Sequence, residues 1–218
     1  NNKKYKTHLI PSGVFYGIKS VIGPNCVVNV KSFFEELKYL EDNGFKTDNI
    51  YISPKAHIIT EEHINIDKCK NKHLGTTSKG IGPCYTDKVN RKGIQAKDIP
   101  ELKEYLWDGI LFGKILCEGA QGFRLDIDYG NYPYVTSSST LPHMACSLGF
   151  PPYSIRSIIG CAKIYDTRSG VDADFPSELH ENKELKKIAE VGNEIGVTTG
   201  RGRIVNYLNL DKLIEAIN

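Results

Sequence analysis

The chain has 218 residues, of which 40% are hydrophobic and 25% are charged, a composition typical of a globular protein with one sizeable core rather than a disordered chain. Its 28 basic and 26 acidic residues leave a formal charge of +2, which argues against a dedicated nucleic-acid binder. No apolar run approaches the roughly 18–20 residues of a membrane helix, so neither a membrane span nor a membrane partner is expected.

Short strands and two helices are predicted for the first 70 residues. Apolar residues recur at helical spacing in segment 31–43 and an Asn-Gly stop signal follows, so we predict an amphipathic helix there. A second helix is predicted at 58–69, with two acidic residues near its start. Strands are predicted at 8–10, 21–22, 26–30 and 49–53.

Long polar loops separate the remaining predicted elements. Strands that alternate with helices and end in loops are typical of an α/β fold. We therefore predict a single α/β domain over residues 1–218, with a mostly parallel central sheet flanked by helices. The remaining helices are predicted at 101–112, 183–189 and 211–217, and buried strands at 114–117 and 157–165.

The six cysteines are predicted to be free thiols. None belongs to a Cys-x-x-Cys pair, so a zinc ribbon and a thioredoxin-type site have no support, and the chain has no Asn-x-Ser/Thr acceptor. We expect buried or partly buried thiols in a reducing compartment. They are Cys26, Cys69, Cys84, Cys117, Cys146 and Cys161.

Common nucleotide and metal motifs are absent from the sequence. Gly75 and Gly80 have the spacing of a Walker loop, but Ile81 follows where that loop has Lys and then Ser or Thr. Residues 126–128 (Asp-Ile-Asp) begin like a calcium loop, but the glycine at 130 comes one place early. We interpret both aspartates as acids that cap a helix or fix a loop; a carboxylate pair or a metal site is the alternative.

The first candidate loop spans residues 75–83 and continues to Arg91. Its glycines let backbone N–H groups approach an anion closely, and Thr76 and Thr77 add hydroxyl donors. Arg91 is suited to a bidentate clamp on phosphate. The loop therefore predicts a phosphate site, with a solvated surface turn as the alternative.

The second candidate loop spans residues 118–140. Gln121 lies between glycines at a predicted strand end, and its amide can both donate to and accept from a planar heterocycle. Thr136 opens a Thr-Ser-Ser run whose hydroxyls suit phosphate oxygens. The alternative is a Ser/Thr-rich turn around a structural aspartate.

The third candidate loop spans residues 192–203. Thr198 and Thr199 precede Arg201 and Arg203, a pattern that suits a dicarboxylate or a polyanion, with a solvated basic turn as the alternative. Taken together, the three loops predict a pocket for a phosphorylated heterocycle and a second anionic substrate.

These residues, in this order, resemble the adenylosuccinate synthetase family. The resemblance spans nearly the whole chain, and it implies a P-loop-NTPase-like ligase fold with long functional loops. The matching segments are 8–13, 75–83, 85, 87–88, 91, 118–122, 125–128, 132–138, 167–168, 175–179 and 196–201.

The resemblance implies a purine nucleotide ligase. The family uses GTP to phosphorylate the 6-oxygen of IMP, and the amine of L-aspartate then displaces phosphate to give adenylosuccinate for AMP biosynthesis. Mg²⁺ is the implied cofactor, because it neutralises the transferring phosphoryl group. The resemblance also implies a cytoplasmic homodimer whose other partners are small nucleotides and aspartate.

The resemblance implies a role for each candidate residue. Thr77 and Thr136 are expected at the IMP phosphate, and Arg91 at the IMP phosphate of the neighbouring subunit. The other expected contacts are Gln121 at the reacting edge of the purine, Ser169 at the ribose, Arg201 at the ribose and aspartate, Thr198, Thr199 and Arg203 at aspartate, and Arg203 also at the nucleoside triphosphate.

Several elements of the family fall outside these residues. Its Gly-rich loop with a catalytic aspartate, and its catalytic histidine, lie upstream, while the element that reads guanine lies downstream. We therefore expect an internal fragment, incomplete at both ends relative to the family. No general base, general acid or metal ligand is assigned in this chain, and His8 belongs to a different motif. A truncated, non-catalytic nucleotide-binding module is one alternative.

Smaller departures from the family pattern leave a second alternative open. Ser169 stands where the family usually has an aliphatic residue, and segment 170–174 is more acidic than usual. The stretch between the helix that follows the first candidate loop in the family and Glu118 is shorter here than in the family. These features resemble the phage branch, which condenses aspartate with dGMP in place of IMP, using ATP or GTP.

Overall fold

The structure, a computed structural model, describes residues 4–70, 74–196 and 200–218. Helices and strands in these ranges are joined by loops and short 3-10 turns. The helices are α1 (Val30–Asp42), α2 (Glu61–Lys70), α3 (Ile81–Val89), α4 (Lys183–Val191) and α5 (Leu210–Ile217). The strands are β1 (Ser20–Ile22), β2 (Val27–Val28), β3 (Ile50–Ile52), β4 (His57–Ile58), β5 (Tyr165–Arg168) and β6 (Ile204–Tyr207).

The larger core lies between α1 and two pairs of parallel strands. Strand β1 pairs with β3, with Ser20 opposite Ile50, and β2 pairs with β4, with Val27 opposite His57. Asn29 caps α1 through its side chain, which accepts the backbone N–H of Ser32 at 2.9 Å. The buried side chains that meet in this core include Phe33, Leu37 and Leu40 of α1 with Ile22, Val28 and Ile52 of the strands.

Helices α2 and α3 pack against each other beside this core. Val27, Ile59 and Cys84 form a second, smaller apolar cluster, and the Cys84 thiol donates to the Ile58 carbonyl at 3.3 Å. The Gly-rich segment 75–80 therefore leads directly into α3, a helix that packs against α2 and against strands β2 and β4.

The C-terminal part is built on the antiparallel pair of β5 and β6, in which Arg168 lies opposite Ile204. Helix α4 packs on β6 through the buried side chains of Leu185 and Val205. Asn182 and Asn209 cap α4 and α5 by accepting backbone N–H groups of the first turn.

The predicted α/β class is confirmed, and several local predictions hold. Helices form within two residues of the predicted ranges 31–43, 183–189 and 211–217. Strands also form at the predicted positions 21–22, 26–30 and 49–53. Strand β1 begins one residue earlier than predicted, and β2 and β3 are shorter than predicted. The strands of the described residues pair as three two-stranded sheets, two of them parallel.

Other local predictions are wrong because long-range hydrogen bonds decide the backbone. Residues 8–10 form no strand, since their N–H groups donate to the Glu36 carboxylate at 2.5–3.0 Å. Helix α2 begins at Glu61 and not at residue 58, because His57-Ile58 pair with β2. Helix α3 forms where the sequence indicated only the end of a loop.

The predicted helix at 101–112 is reduced to a 3-10 turn at Pro100–Tyr105. The chain leaves this turn because Leu106 bridges to Ile52 and the N–H of Trp107 donates to the Ile52 carbonyl at 2.8 Å. Backbone that pairs with a strand in this way cannot also continue a helical hydrogen-bond ladder.

The predicted buried strand at 114–117 does not form, and neither does the predicted strand at 157–165 apart from its last residue, Tyr165. The side chains of Leu116, Ile158 and Ile164 are 83%, 67% and 90% exposed. A strand apolar on both faces needs neighbouring strands to satisfy its backbone, and no part of residues 4–70, 74–196 or 200–218 pairs with these segments. Only the C-terminal end of the second prediction becomes a strand, β5.

The six cysteines form no disulfide, as predicted, since every one lies in the described ranges as a free thiol. The expected burial is wrong for four of them: Cys84 is buried and Cys146 half-buried, whereas the others are exposed. Across the described residues, no helix combines the length and the apolar character needed to cross a membrane.

Candidate functional site

The Gly-rich loop is held from below by a buried carboxylate on α2. The hydroxyl of Thr76 donates to Asp67 Oδ1 at 3.0 Å, and the N–H of Gly80 donates to Asp67 Oδ2 at 2.9 Å. Thr77 lies between these two anchors and is exposed. The structure therefore separates the predicted threonine pair: Thr76 is bonded inward to protein, and Thr77 faces outward.

The loop at 118–140 is organised around Asp126. This fully buried side chain accepts the Ser139 hydroxyl at 2.7 Å and the N–H groups of Thr140, Asp128 and Tyr129 at 2.6–3.2 Å. Burial alone would raise the pKa of Asp126, but these four hydrogen bonds outweigh it and lower the pKa to about 2.

The interpretation of Asp126 as a loop-fixing acid is therefore confirmed. Asp128 contributes its backbone N–H to that arrangement, and its own side chain is exposed. The same fold positions Thr136, whose N–H donates to the Leu125 carbonyl at 2.8 Å. Gln121 lies earlier on this loop, exposed, with a positive φ of 74°.

The first and second loops meet at the start of α3. A Cβ atom added to Gly82 would lie 2.9 Å from the Ser137 hydroxyl, so the start of α3 is in close contact with the Thr-Ser-Ser run. The Tyr85 hydroxyl donates to the Asn25 carbonyl at 2.6 Å, which ties α3 to the β1–β2 connection. The two predicted phosphate segments are thus side by side in the fold.

Segment 169–171 passes next to the same Gly-rich loop. A Cβ atom on Gly75 would lie 3.6 Å from the Val171 nitrogen, an ordinary contact distance. Ser169 lies just before this contact and is exposed. The neighbouring Arg168 donates to the Tyr134 carbonyl, so this segment is also joined to the second loop.

An acidic cluster that the sequence reading did not identify as a site fixes this junction. Arg168 Nε lies 3.4 Å from the buried Asp172 carboxylate. Asp174 pairs with Arg124 of the second loop at 2.7 Å and with Lys212 of α5. The sequence signal for this cluster was the unusually acidic segment 170–174. In the fold, its aspartates pair with basic side chains of three elements: Arg168 of β5, Arg124 of the second loop and Lys212 of α5.

The third loop reaches back to the first. The guanidinium of Arg201 donates to the Gly75 carbonyl at 3.3 Å. A β-bridge between Ile195 and Gly202 joins the two ends of this loop; Thr198 and Thr199 lie outside the described residues. The predicted phosphate and aspartate loops are therefore adjacent, with Arg201 between them.

Arg203 is held by a buried glutamate. Its guanidinium lies 3.3 Å from Glu194 Oε2, and the same carboxylate accepts Lys163 Nζ and the Tyr165 hydroxyl, each at 2.6 Å. Burial alone would raise the pKa of Glu194, but the bonds from Lys163 and Tyr165 and the charge of Arg203 lower it. Arg203 thus has a fixed orientation, and no sequence motif pointed to Glu194.

Arg91 is not brought to the loops of its own chain. It is exposed, with a φ of 61°, just beyond the C-terminal end of α3. The nine residues of α3 span about 13 Å. Arg91 is therefore at the opposite end of that helix from Gly80 and Thr77.

Among the described residues, no three His, Cys, Asp or Glu side chains form a group that could hold a metal ion. The acids near the site bond instead to backbone N–H groups, hydroxyls and cations of the protein. The described surface therefore offers anion-binding groups, mainly hydroxyls, N–H groups and arginine, where the three loops converge.

Comparisons with known proteins show which family the chain belongs to. The family model for adenylosuccinate synthetase matches residues 1–110 and 101–218. The adenylosuccinate synthetase of Geobacillus sp. (strain WCH70) is 38% identical over 267 residues, which take in 96% of this chain and 62% of the relative. The enzyme of Clostridium acetobutylicum is 39% identical and covers 99% of this chain and 64% of the relative.

Two solved structures resemble the fold. The structure of fully ligated adenylosuccinate synthetase from Plasmodium falciparum has a TM-score of 0.83 and 28% identity, covering 99% of this chain and 63% of that one. The cyanophage S-2L succinoaminodeoxyadenylate synthetase, bound to dGMP and to dATP as an energy donor, has a TM-score of 0.66. At 19% identity over 90% of this chain, it shows the fold alone.

The match in length is partial. The chain spans about three fifths of the curated relatives, yet the aligned region of 267 residues is longer than the chain itself. The relatives therefore carry internal residues without a counterpart here, in agreement with the shortening predicted before Glu118. The family model matches this chain from residue 1 to residue 218 in two segments. The chain therefore belongs to the adenylosuccinate synthetase family.

Proposed function

We propose that this chain forms the monophosphate- and aspartate-binding part of a ligase that condenses L-aspartate with IMP, using GTP, to give adenylosuccinate for AMP biosynthesis. The observation that carries this proposal is the convergence of three loops in a member of this family. The Gly-rich loop of Thr77 contacts the Thr136–Ser138 run at Gly82 and Arg201 at Gly75.

The monophosphate occupies the junction of the first two loops in this proposal. Thr77 and Thr136 donate their hydroxyls to the phosphate, and exposed backbone N–H groups of the Gly-rich loop add donors. Gln121 contacts the reacting edge of the purine, and Ser169 lies at the ribose. The support is that Thr77 and Gln121 are exposed while the residues around them are held by buried carboxylates.

Aspartate binds at the third loop in this proposal. Arg201 donates to an aspartate carboxylate and remains close to the ribose, because it already lies against Gly75 of the monophosphate loop. Thr198 and Thr199, which lie outside the described residues, add hydroxyls to this site. Arg203, oriented by Glu194, binds aspartate and extends toward the nucleoside triphosphate.

The chemistry requires groups beyond these binding residues. Phosphorylation of the 6-oxygen converts a poor leaving group into a good one, and Mg²⁺ neutralises the phosphoryl group when it is bound. We assign that metal no ligand here, because the described residues contain no group of three metal-ligating side chains. The contribution of this chain is to bind IMP and aspartate and to orient the purine edge toward the aspartate amine.

We further propose a cytoplasmic homodimer in which Arg91 binds the phosphate in the neighbouring subunit's site. Two features support this: Arg91 is exposed, and it is separated from its own Thr77 by the length of α3. An exposed arginine at a helix end is suited to a phosphate that arrives on another surface.

Calorimetric titration of the chain with IMP and with dGMP tests the binding part of the proposal. We expect IMP to bind more tightly than dGMP, and Thr77→Val to weaken IMP binding at least tenfold, because it removes a hydroxyl donor without changing the shape of the side chain. Thr86→Val, an exposed change on α3, is the matched control. If the chain bound neither IMP nor dGMP, the proposal would be contradicted.

A coupled absorbance assay tests the reaction itself, with aspartate, IMP or dGMP, and GTP or ATP. The protein is assayed at its full natural length. Turnover of IMP with GTP supports the proposal. Turnover of dGMP in preference to IMP would assign the chain to the phage-type reaction, and IMP binding without turnover would identify a non-catalytic binding module.

A further inference from the structure

Asp67 is a buried acid in direct contact with the Gly-rich loop. Only 3% of the residue is exposed, and its two carboxylate oxygens bond to different ends of the loop. Oδ1 accepts the Thr76 hydroxyl and Oδ2 accepts the Gly80 N–H. One side chain therefore sets the distance between Thr76, which precedes Thr77, and Gly80, the N-cap of α3.

The backbone of the loop is constrained around this carboxylate. Gly75, Ser78 and Gly80 all have positive φ, of 67°, 55° and 78°. The Ser78 N–H donates back to the Thr76 hydroxyl oxygen at 3.3 Å, so that hydroxyl accepts one bond and donates the other to Asp67. Both of these hydrogen bonds of Thr76 are made to the protein itself.

A second contact fixes α2 against α3. The Thr60 N–H donates to His63 Nδ1 at 3.0 Å, so the opposite ring nitrogen, Nε2, is left to donate to Asp87 Oδ2 at 3.1 Å. His63 is buried on α2 and Asp87 lies on α3. The loop thus spans two helices whose separation is already set, and Asp67 decides the path of the loop between them.

We propose that Asp67 is a positioning residue of the monophosphate site, acting through Thr76 and Gly80 to present the Thr77 hydroxyl. This inference rests on the function proposed above. It assigns Thr76 to the support of the loop and leaves Thr77 as its phosphate donor. Asp67 makes no contact with the nucleotide in this arrangement, since its two oxygens accept hydrogen bonds from Thr76 and Gly80.

The central test compares monophosphate binding with aspartate use in Asp67→Asn. The amide retains the shape of the side chain but loses the charge and one acceptor, so one end of the loop is released. We expect the dissociation constant for IMP to rise at least tenfold, while the KM for aspartate changes less than threefold in assays at saturating IMP. Glu62→Gln, on the exposed face of the same helix, is the control.

Two changes at Thr76 keep the test decisive if Asp67→Asn folds poorly. Thr76→Ser keeps the hydroxyl and should bind IMP within twofold of the parent chain. Thr76→Val removes the hydroxyl and should weaken IMP binding at least fivefold. In the double variant Asp67→Asn/Thr76→Val, IMP binding should weaken by less than the product of the two single-variant factors. Both changes act on the same hydrogen bond, so their effects are not independent.

The outcomes separate this inference from the function on which it rests. If the parent chain binds IMP and Asp67→Asn binds it equally well, or loses IMP and aspartate use together, Asp67 is only a stabilising residue and the inference is wrong. If Thr76→Ser and Thr76→Val behave alike, the inference is also wrong. If the parent chain binds neither IMP nor dGMP, the proposed function fails and the inference falls with it.

Discussion

At the scale of single residues, the predicted ligand contacts and the residues that support them are different sets. Thr77 and Gln121 are exposed, as groups that meet a substrate must be. The acids that hold the three loops, Asp67, Asp126 and Glu194, are buried and bond to protein donors. Buried carboxylates are stable only when their oxygens are satisfied, so each organises the backbone around it.

Arg201→Leu should impair the use of aspartate most strongly. The leucine keeps some of the side-chain bulk but loses the guanidinium that donates to a carboxylate. We expect the KM for aspartate to rise at least tenfold with little change in the free energy of unfolding, because Arg201 is exposed. Kinetics with varied aspartate measure this, with the exposed Arg156→Leu as control. Unchanged aspartate kinetics would contradict the assignment.

Asp126→Asn should lower stability in a pH-dependent way. The pKa of Asp126 is depressed to about 2, so its stabilising contribution is present above the usual carboxyl pKa, near 4, and is lost as the pH falls toward 2. At pH 7 the variant should lose about 2 kcal/mol of unfolding free energy. Denaturant titrations at pH 7, 4 and 2.5 should show the difference shrinking. A difference independent of pH would exclude this account.

At the scale of elements, the connection from α2 to α3 carries the clearest packing constraint. Gly80 is the N-cap of α3 and has a φ of 78°, and a Cβ atom there would lie 2.8 Å from the Ile64 nitrogen. Gly44, which follows α1, has a similar φ of 82° but open space around it. The two glycines therefore share a backbone conformation and differ only in the room for a side chain.

Alanine at these two glycines separates backbone strain from steric contact. Gly44→Ala should lower the unfolding free energy by about 1 kcal/mol, the usual penalty for an L-residue at positive φ. Gly80→Ala should lose about 2 kcal/mol more and weaken IMP binding, since backbone atoms of α2 must shift. Urea denaturation and calorimetry measure both effects. Equal losses for the two variants would show that the contact with Ile64 is relieved without cost.

At the scale of the whole molecule, the described residues form a core around α1 and leave two apolar segments outside it. The predicted strand 114–117 and residues 157–164 of the predicted strand 157–165 form no strand and are exposed. The first of them lies a few residues after 101–110, where the two matched segments of the family model overlap. One of the two departures from the expected sheet is therefore close to the part of the chain where the match to the family model is divided.

Arg91 provides a test of assembly. Arg91→Leu and Thr77→Val should each abolish tight IMP binding in homodimers, because each removes one side of a shared site. In an equimolar mixture, about a quarter of all sites should recover, since half of the dimers are mixed and each holds one intact site. Calorimetry of the mixed proteins counts those sites. No recovery would contradict a site shared between subunits.

The sequence alone determined the elements and residues whose signal is local. The apolar spacing of α1 and the composition of the three loops are properties of neighbouring residues, so Thr77, Gln121 and Arg201 could be identified as candidates without a structure. The resemblance to a family rested on the same local segments.

Only the tertiary structure decided which residues support that site and which predicted strands form. Asp67 is an ordinary aspartate within a helix until the fold places it under the Gly-rich loop, and Glu194 is unremarkable until it meets Lys163 and Arg203. The pairing of a strand likewise depends on partners distant in the chain. These outcomes depend on long-range hydrogen bonds and on burial, which no window of neighbouring residues contains.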